Sequence, residues 1–65
     1  MTITETQKAT FISELRWARL HNFKDETAKT FNAYAIATAM RIPFGGRAFQ
    51  EIEDELDRIA KDEAA

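Results

Sequence analysis

The chain has 65 residues, a formal net charge of −2 at pH 7, 45% hydrophobic residues and 31% charged residues. These values favour one folded, soluble domain over residues 1–65 and argue against a wholly disordered chain. A domain this small buries only about 60% of its unfolded surface and commonly needs disulfides, a metal or a partner subunit. With no cysteine and a single histidine, His21, self-association is the remaining source of added stability.

The charge and the length of the apolar runs indicate where the protein acts and which kinds of partner it lacks. No apolar run approaches the roughly 18 residues of a membrane span, and the start MTITETQK lacks the regions of a signal peptide, so we expect a cytoplasmic protein with no membrane partner. The net charge is +2 over residues 1–24 (four basic, two acidic), 0 over 25–46 (two of each) and −4 over 47–65 (three basic, seven acidic). An acidic chain has no general attraction for phosphate, which disfavours nucleic acid.

The first predicted helix covers about residues 4–21. It opens with two overlapping capping-box patterns, Thr2-x-x-Glu5 and Thr4-x-x-Gln7, in which each member of the pair can satisfy a backbone amide of the other. Helical spacing then places three apolar residues on one face: Phe11, Leu15 and Ala18. This stripe predicts a helix that packs on a core.

The second predicted helix covers about residues 26–41, after a short loop in which Asn22 is a suitable left-handed terminator. One apolar face consists of Ala28, Phe31, Tyr34, Ala35 and Ala39. A nearly opposite apolar face consists of Ala33, Ile36, Ala37 and Met40. A helix that is apolar on both sides is a buried helix, and two other helices can cover only one of these faces. We therefore predict a homodimer whose interface is the second set: Ala33, Ile36, Ala37 and Met40.

The third predicted helix covers about residues 47–62. Pro43 ends the second helix, and Gly45 and Gly46 permit positive φ angles before the third begins. The third helix is apolar on one face only, at Phe49, Ile52, Leu56 and Ile59. The fold class is therefore all-α, with three short helices arranged as a helical hairpin plus a third helix in a dimeric bundle.

No set of residues predicts an enzyme, a cofactor or a metal site. Nucleophilic catalysis needs a nucleophile close to a base, and Ser13 and His21 are eight residues apart on one helix, about 12 Å of rise. Three carboxylates, at Glu51, Asp54 and Glu55, could approach a divalent ion, but rigid sites for such ions also draw backbone carbonyls from a loop. We expect a non-enzymatic protein.

A helix-turn-helix-like DNA-binding regulator is the alternative function. The break at residues 40–46 between two short helices gives such a layout. The helix after the break would then present an acidic surface to DNA, with Gln50, Glu51, Glu53, Asp54 and Asp57. Only Arg47 is basic near its start, so the charge of this helix disfavours a nucleic-acid partner.

Protein binding is the predicted function, because interfaces and their energetic centres are enriched in Trp, Tyr and Arg. Trp17 lies off the core stripe beside Leu20, where it could close the core, form a dimer interface or contact a partner. Phe44, in the segment RIPFGGR, could be a structural corner or a contact loop, and the amides of Gly46 and Arg47 could hold an anion. The predicted partner-binding residues are Arg16, Trp17, Leu20, Arg41, Phe44 and Arg47.

In size, acidity and helical character the whole chain resembles small accessory proteins of phages and mobile elements that bind and modulate a larger host protein. The resemblance implies an inhibitor or modulator of such a protein. It rests on no motif and assigns a role to no individual residue.

Overall fold

A computed structural model describes residues 3–65 and contains three helices, α1 (Glu5–Leu20), α2 (Asp25–Ala39) and α3 (Arg47–Ala64). The predicted helix ranges end within two residues of these bounds. Each helix packs against both of the others, and the Cα radius of gyration is 11.2 Å. The all-α prediction is confirmed. Within residues 3–65, no helix combines the length and apolar character that crossing a membrane requires.

The start of α1 is fixed by a capping box. The Thr4 hydroxyl accepts a hydrogen bond from the Gln7 amide at 3.1 Å, and the Gln7 side-chain oxygen accepts one from the Thr4 amide at 2.9 Å. The second of the two predicted patterns is thus confirmed. The first pattern begins at Thr2, which lies outside the described residues.

The C-terminal ends of α1 and α2 use the same hydrogen-bonding motif. After α1, Asn22 adopts φ 62° and the Phe23 amide donates to the Ala18 carbonyl at 2.8 Å. After α2, Arg41 adopts φ 56° and the Ile42 amide donates to the Ala37 carbonyl, also at 2.8 Å. A left-handed residue followed by this six-to-one bond is a Schellman motif. The prediction for Asn22 is confirmed.

The end of α2 differs from the prediction in how it is made. The helix stops at Ala39, and the left-handed residue that follows is Arg41, before Pro43 is reached. Of the two glycines, Gly45 has a positive φ of 80°, whereas Gly46 has φ −86° and is the extended N-cap of α3. Proline and glycine therefore shape the connection, while a Schellman motif terminates the helix.

The core lies between the three helices. α1 and α3 bury the faces that their spacing predicts: Phe11, Leu15 and Ala18 from α1, and Phe49, Ile52, Leu56 and Ile59 from α3. α2 adds the small residues Ala28, Ala33 and Ala37 together with Ile36. The only buried polar side chain among the described residues is Asn32, whose amide nitrogen donates to the Ala28 carbonyl at 2.9 Å.

The residues predicted for the dimer interface are placed inside the monomer. Ala33 and Ala37 are fully buried, Ile36 is 4% exposed, and all three belong to the core cluster, while Met40 is 40% exposed. This corrects the assignment of the first three to a contact with a second chain. The physical reason is side-chain size, since alanines let α1 and α3 approach α2 closely.

Candidate protein-binding surface

The outward side of α2 carries no exposed charge between Thr27 and Met40. Lys29 is the one charged residue in this segment, and its side chain is only 12% exposed. Its ammonium group turns towards α3 and bonds the Asp57 carboxylate at 2.9 Å, with Glu26 at 3.0 Å. The hydrogen bonds that Lys29 donates to these two carboxylates, with the one to Asp57 as the larger influence, raise the pKa of Lys29 above its ordinary value and keep it charged.

Four residues form a line along this outward side and are called the outer stripe: Thr27, Phe31, Tyr34 and Thr38. Their spacing of four, three and four residues is the spacing at which a helix presents one seam to another helix. Phe31 is 73% exposed and Tyr34 is 45% exposed. Both side chains leave a large apolar area open to solvent, so the stripe is a candidate contact surface.

Phe31 lines three hollows, and two of them also contact Thr27 of the stripe. A hollow of about 390 Å³ is lined by Glu26, Thr27, Thr30, Phe31 and Tyr34. A second hollow of about 200 Å³ is lined by Glu14, Trp17, Ala18, Phe23, Thr27, Ala28 and Phe31. Both are mostly apolar and open to solvent, which gives an approaching side chain a place to pack beside the Phe31 ring.

Beyond the second hollow, at the C-terminal end of α1, three rings form the tryptophan cluster: Trp17, His21 and Phe23. The Trp17 ring stacks on His21 with centroids 4.1 Å apart and on Phe23 with centroids 5.5 Å apart. His21 Nδ1 also lies 2.9 Å from the Trp17 carbonyl, so its hydrogen is on that nitrogen. Trp17 is 53% exposed, stands outside the core cluster and lines a hollow with the core residues Ala18 and Ala28, so closure of the core edge, a dimer contact and a partner contact all stay predictions.

A second aromatic cluster lies at the other end of α2 and consists of Phe44, Tyr34 and Phe49. The Phe44 ring meets Tyr34 edge-on with centroids 4.4 Å apart, and Phe49 with centroids 5.7 Å apart. Phe44 nevertheless remains 54% exposed. It is therefore a corner residue that packs on its neighbours and still presents half of its surface to solvent.

The predicted partner-binding residues do not form one site. Arg16, Trp17 and Leu20 lie near the end of α1, beside the start of α2, whereas Arg41, Phe44 and Arg47 lie beyond the end of α2. The 15 residues of α2 separate the two groups by about 22 Å. Spacing along one helix could not show this, because it depends on how the helices are arranged.

The outer stripe connects the two groups. Phe31 lines the same hollow as Trp17 and Phe23, and Tyr34 contacts Phe44. An aromatic surface thus extends along α2 from the tryptophan cluster to Phe44. Sequence reasoning missed Phe23 and counted Phe31 and Tyr34 as core, although their spacing and the absence of charge around them were visible in the sequence.

Two arginines near the tryptophan cluster, Arg16 and Arg19, already have partners in the chain. Arg16 Nε lies 2.6 Å from a Glu63 carboxylate oxygen on α3. Arg19 donates to the Asp25 carboxylate at 2.8 Å through Nη2, and to the Ala60 carbonyl at 3.3 Å. These contacts tie the end of α1 to both other helices, so the arginines support the cluster more than they extend it.

The surface of α3 is acidic. Arg58 pairs with Glu55 and with Asp62 on the same helix. The hydrogen bonding of Glu55 with Arg58 lowers the pKa of Glu55. The face that a DNA reader would need is therefore rich in carboxylates, which disfavours the DNA-binding alternative. No group of three or more metal-type side chains gathers within residues 3–65.

Comparisons of the chain with protein-family models, with curated proteins and with solved structures find no match.

Proposed function

We propose that this protein is a non-enzymatic, homodimeric protein-binding module of the phage or mobile-element accessory type, which acts in the cytoplasm by inhibiting or modulating a larger protein. The observation that carries the proposal is the tryptophan cluster: a half-exposed indole stacked on two other rings, beside an apolar hollow of about 200 Å³. Tryptophan is the residue most enriched at the energetic centres of interfaces.

The stacking prepares the cluster for binding. The Trp17 ring stacks on the His21 ring and on the Phe23 ring, and the backbone position of Phe23 is fixed by its bond to the Ala18 carbonyl. A ring that is already held loses less conformational freedom when a partner covers it, so more of the contact energy remains as affinity. The hollow beside it is mostly apolar, with Glu14 on its rim, and suits an apolar side chain of the partner.

The test is an affinity capture from the source cell and its host, with three immobilised baits: the original chain, Trp17→Ala and Phe44→Ala. Both substitutions remove a half-exposed aromatic ring, at opposite ends of α2. We expect one or more proteins to bind the original and Phe44→Ala baits and to be lost from Trp17→Ala. Circular dichroism of each bait checks that the fold is retained.

An identical set of captured proteins on all three baits would contradict the role of the cluster. Loss from the Phe44→Ala bait alone would move the contact to the other end of α2.

A further inference from the structure

We infer that the outer stripe of α2 pairs with the outer stripe of a second copy of this chain, with the two α2 helices antiparallel across a two-fold axis. This interface rests on the proposed homodimer and supplies the residues that form it. It replaces the buried residues of α2, which the core already uses.

The arrangement of the stripe satisfies two-fold symmetry. An isologous interface requires that if residue i meets residue j, then j also meets i. Thr27 and Thr38 are equally distant from the point between residues 32 and 33, and so are Phe31 and Tyr34. That point is within one residue of the middle of α2, Asp25–Ala39. An antiparallel pair therefore sets threonine against threonine at both ends and phenylalanine against tyrosine in the middle.

The distribution of charge favours a second copy on this face. When two identical surfaces pair, charges of the same sign face each other, so a surface that carries one sign of charge repels the same surface of the second copy. The segment 47–65 carries −4 and would meet such repulsion, whereas the outer stripe is uncharged and Lys29 turns away from it. Only Lys24 and Arg41, which are exposed at the ends, come level with each other across the pair. Salt screens that repulsion, so the dimer tightens as ionic strength rises.

The shape of the outer stripe also suits packing against a second copy of itself. Phe31 is the most exposed of the aromatic residues at 73%, and the 390 Å³ hollow beside it is lined by members of the same stripe. In an antiparallel seam each large residue packs into the space between residues of the facing helix. With two open rings per copy the interface is small, which corresponds to a weak dimer with a dissociation constant in the micromolar range.

The first experiment is disulfide cross-linking, in which no native thiol competes with the introduced one because the chain has no cysteine. Thr27→Cys and Thr38→Cys chains are oxidised separately and then as a mixture. In the antiparallel pair the two copies of residue 27 are about 16 Å apart along the helix, too far for a disulfide, while residue 27 of one copy faces residue 38 of the other. We expect the mixture to form a covalent dimer, twice the 7.5 kDa of one chain, at least fivefold more than either chain alone.

The control for chance collisions is Ser13→Cys, exposed on α1. Equal cross-linking in all samples, or efficient cross-linking of Thr27→Cys with itself, would overturn the antiparallel arrangement. No cross-linking in the mixture beyond the Ser13→Cys level would overturn it as well.

The second experiment is sedimentation equilibrium up to about 1 mM protein, at low and high salt. We expect the original chain to dimerise, more tightly at high salt, and Phe31→Glu to weaken the dimer at least tenfold. Leu20→Glu is the matched control, since Leu20 is 78% exposed but lies on α1 outside the stripe.

The outcomes separate the interface from the homodimer. A mass of 7.5 kDa at every concentration would contradict both the stripe interface and the homodimer. A dimer that is not weakened by Phe31→Glu would contradict the stripe as the interface but would still support the homodimer. A Leu20→Glu chain that is as monomeric as Phe31→Glu would shift the interface to the end of α1.

Discussion

The inner and outer faces of α2 both carry apolar residues, but the side chains on the two faces differ greatly in size. The inner face consists of three alanines, Asn32 and a single large aliphatic residue, Ile36, and it is buried. The outer face presents Phe31, which is 73% exposed, and Tyr34, which is 45% exposed. A short chain gains most by bringing its helices close together, and small residues permit this. Size therefore decided which apolar face became core, and the larger residues were left for contacts outside the monomer.

The largest expected effect comes from truncating the inner face. Ile36→Ala should lower the free energy of unfolding by about 2–4 kcal/mol, because it removes buried methyl groups and leaves a cavity. Phe31→Ala removes more atoms from the outer face, yet under monomeric conditions it should change the free energy by less than about 0.5 kcal/mol. Urea denaturation followed by circular dichroism at low protein concentration measures both. Equal losses would mean that the outer ring also stabilises the monomer.

Enlarging alanines tests the same difference from the other direction. Ala37→Leu inserts a side chain into a fully buried position and should cost about 1–3 kcal/mol through overpacking. Ala35→Leu makes the identical change at an exposed position and should stay within about 0.5 kcal/mol of the original chain. A tolerated Ala37→Leu would indicate that the helices can separate without loss.

These two faces also show how far the sequence could predict the structure. α1 and α3 each have one apolar stripe, so spacing alone identified their buried residues, such as Leu15 and Leu56. α2 has two, and helical periodicity cannot rank them, because the choice depends on how closely α1 and α3 approach. The separation of Trp17 from Phe44 likewise depends on the arrangement of the helices. The 4-3-4 spacing of the outer stripe, by contrast, was available in the sequence.

The end of α2 offers a smaller effect of opposite sign. Arg41 and Asn22 occupy equivalent left-handed positions, with φ 56° and 62°. Asparagine tolerates this conformation better than arginine, which carries a steric cost there. Arg41→Gly should therefore raise the free energy of unfolding by about 0.5–1 kcal/mol, and Asn22→Gly by less. Thermal unfolding compares them. A destabilised Arg41→Gly would show that the arginine side chain itself contributes to the C-terminal end of α2.

The smallest effect concerns the start of α2, where a charged contact stands in place of the apolar ones. Arg19 donates to the Asp25 carboxylate from Nε, at 3.1 and 3.3 Å to the two oxygens, and from Nη2 at 2.8 Å, and these hydrogen bonds lower the pKa of Asp25. The folded pKa is thus below the unfolded value of about 3.9. The contribution of Asp25 to stability is present above the unfolded value and is lost as the pH falls through the folded one.

Asp25→Asn should consequently cost less than about 1 kcal/mol at pH 7, since the Asp25 side chain is 44% exposed and solvent screens the pair. The matched control is Glu5→Gln, which removes the carboxylate at the first position of α1 and reports the helix-dipole effect alone. The difference between the two variants isolates the Arg19 contact. Chemical denaturation from pH 7 down to about pH 2 should show this difference shrinking towards zero as Asp25 becomes protonated. A difference that persists at the lowest pH would mean that packing of the Asp25 side chain, and not its charge, holds the start of α2 against α1.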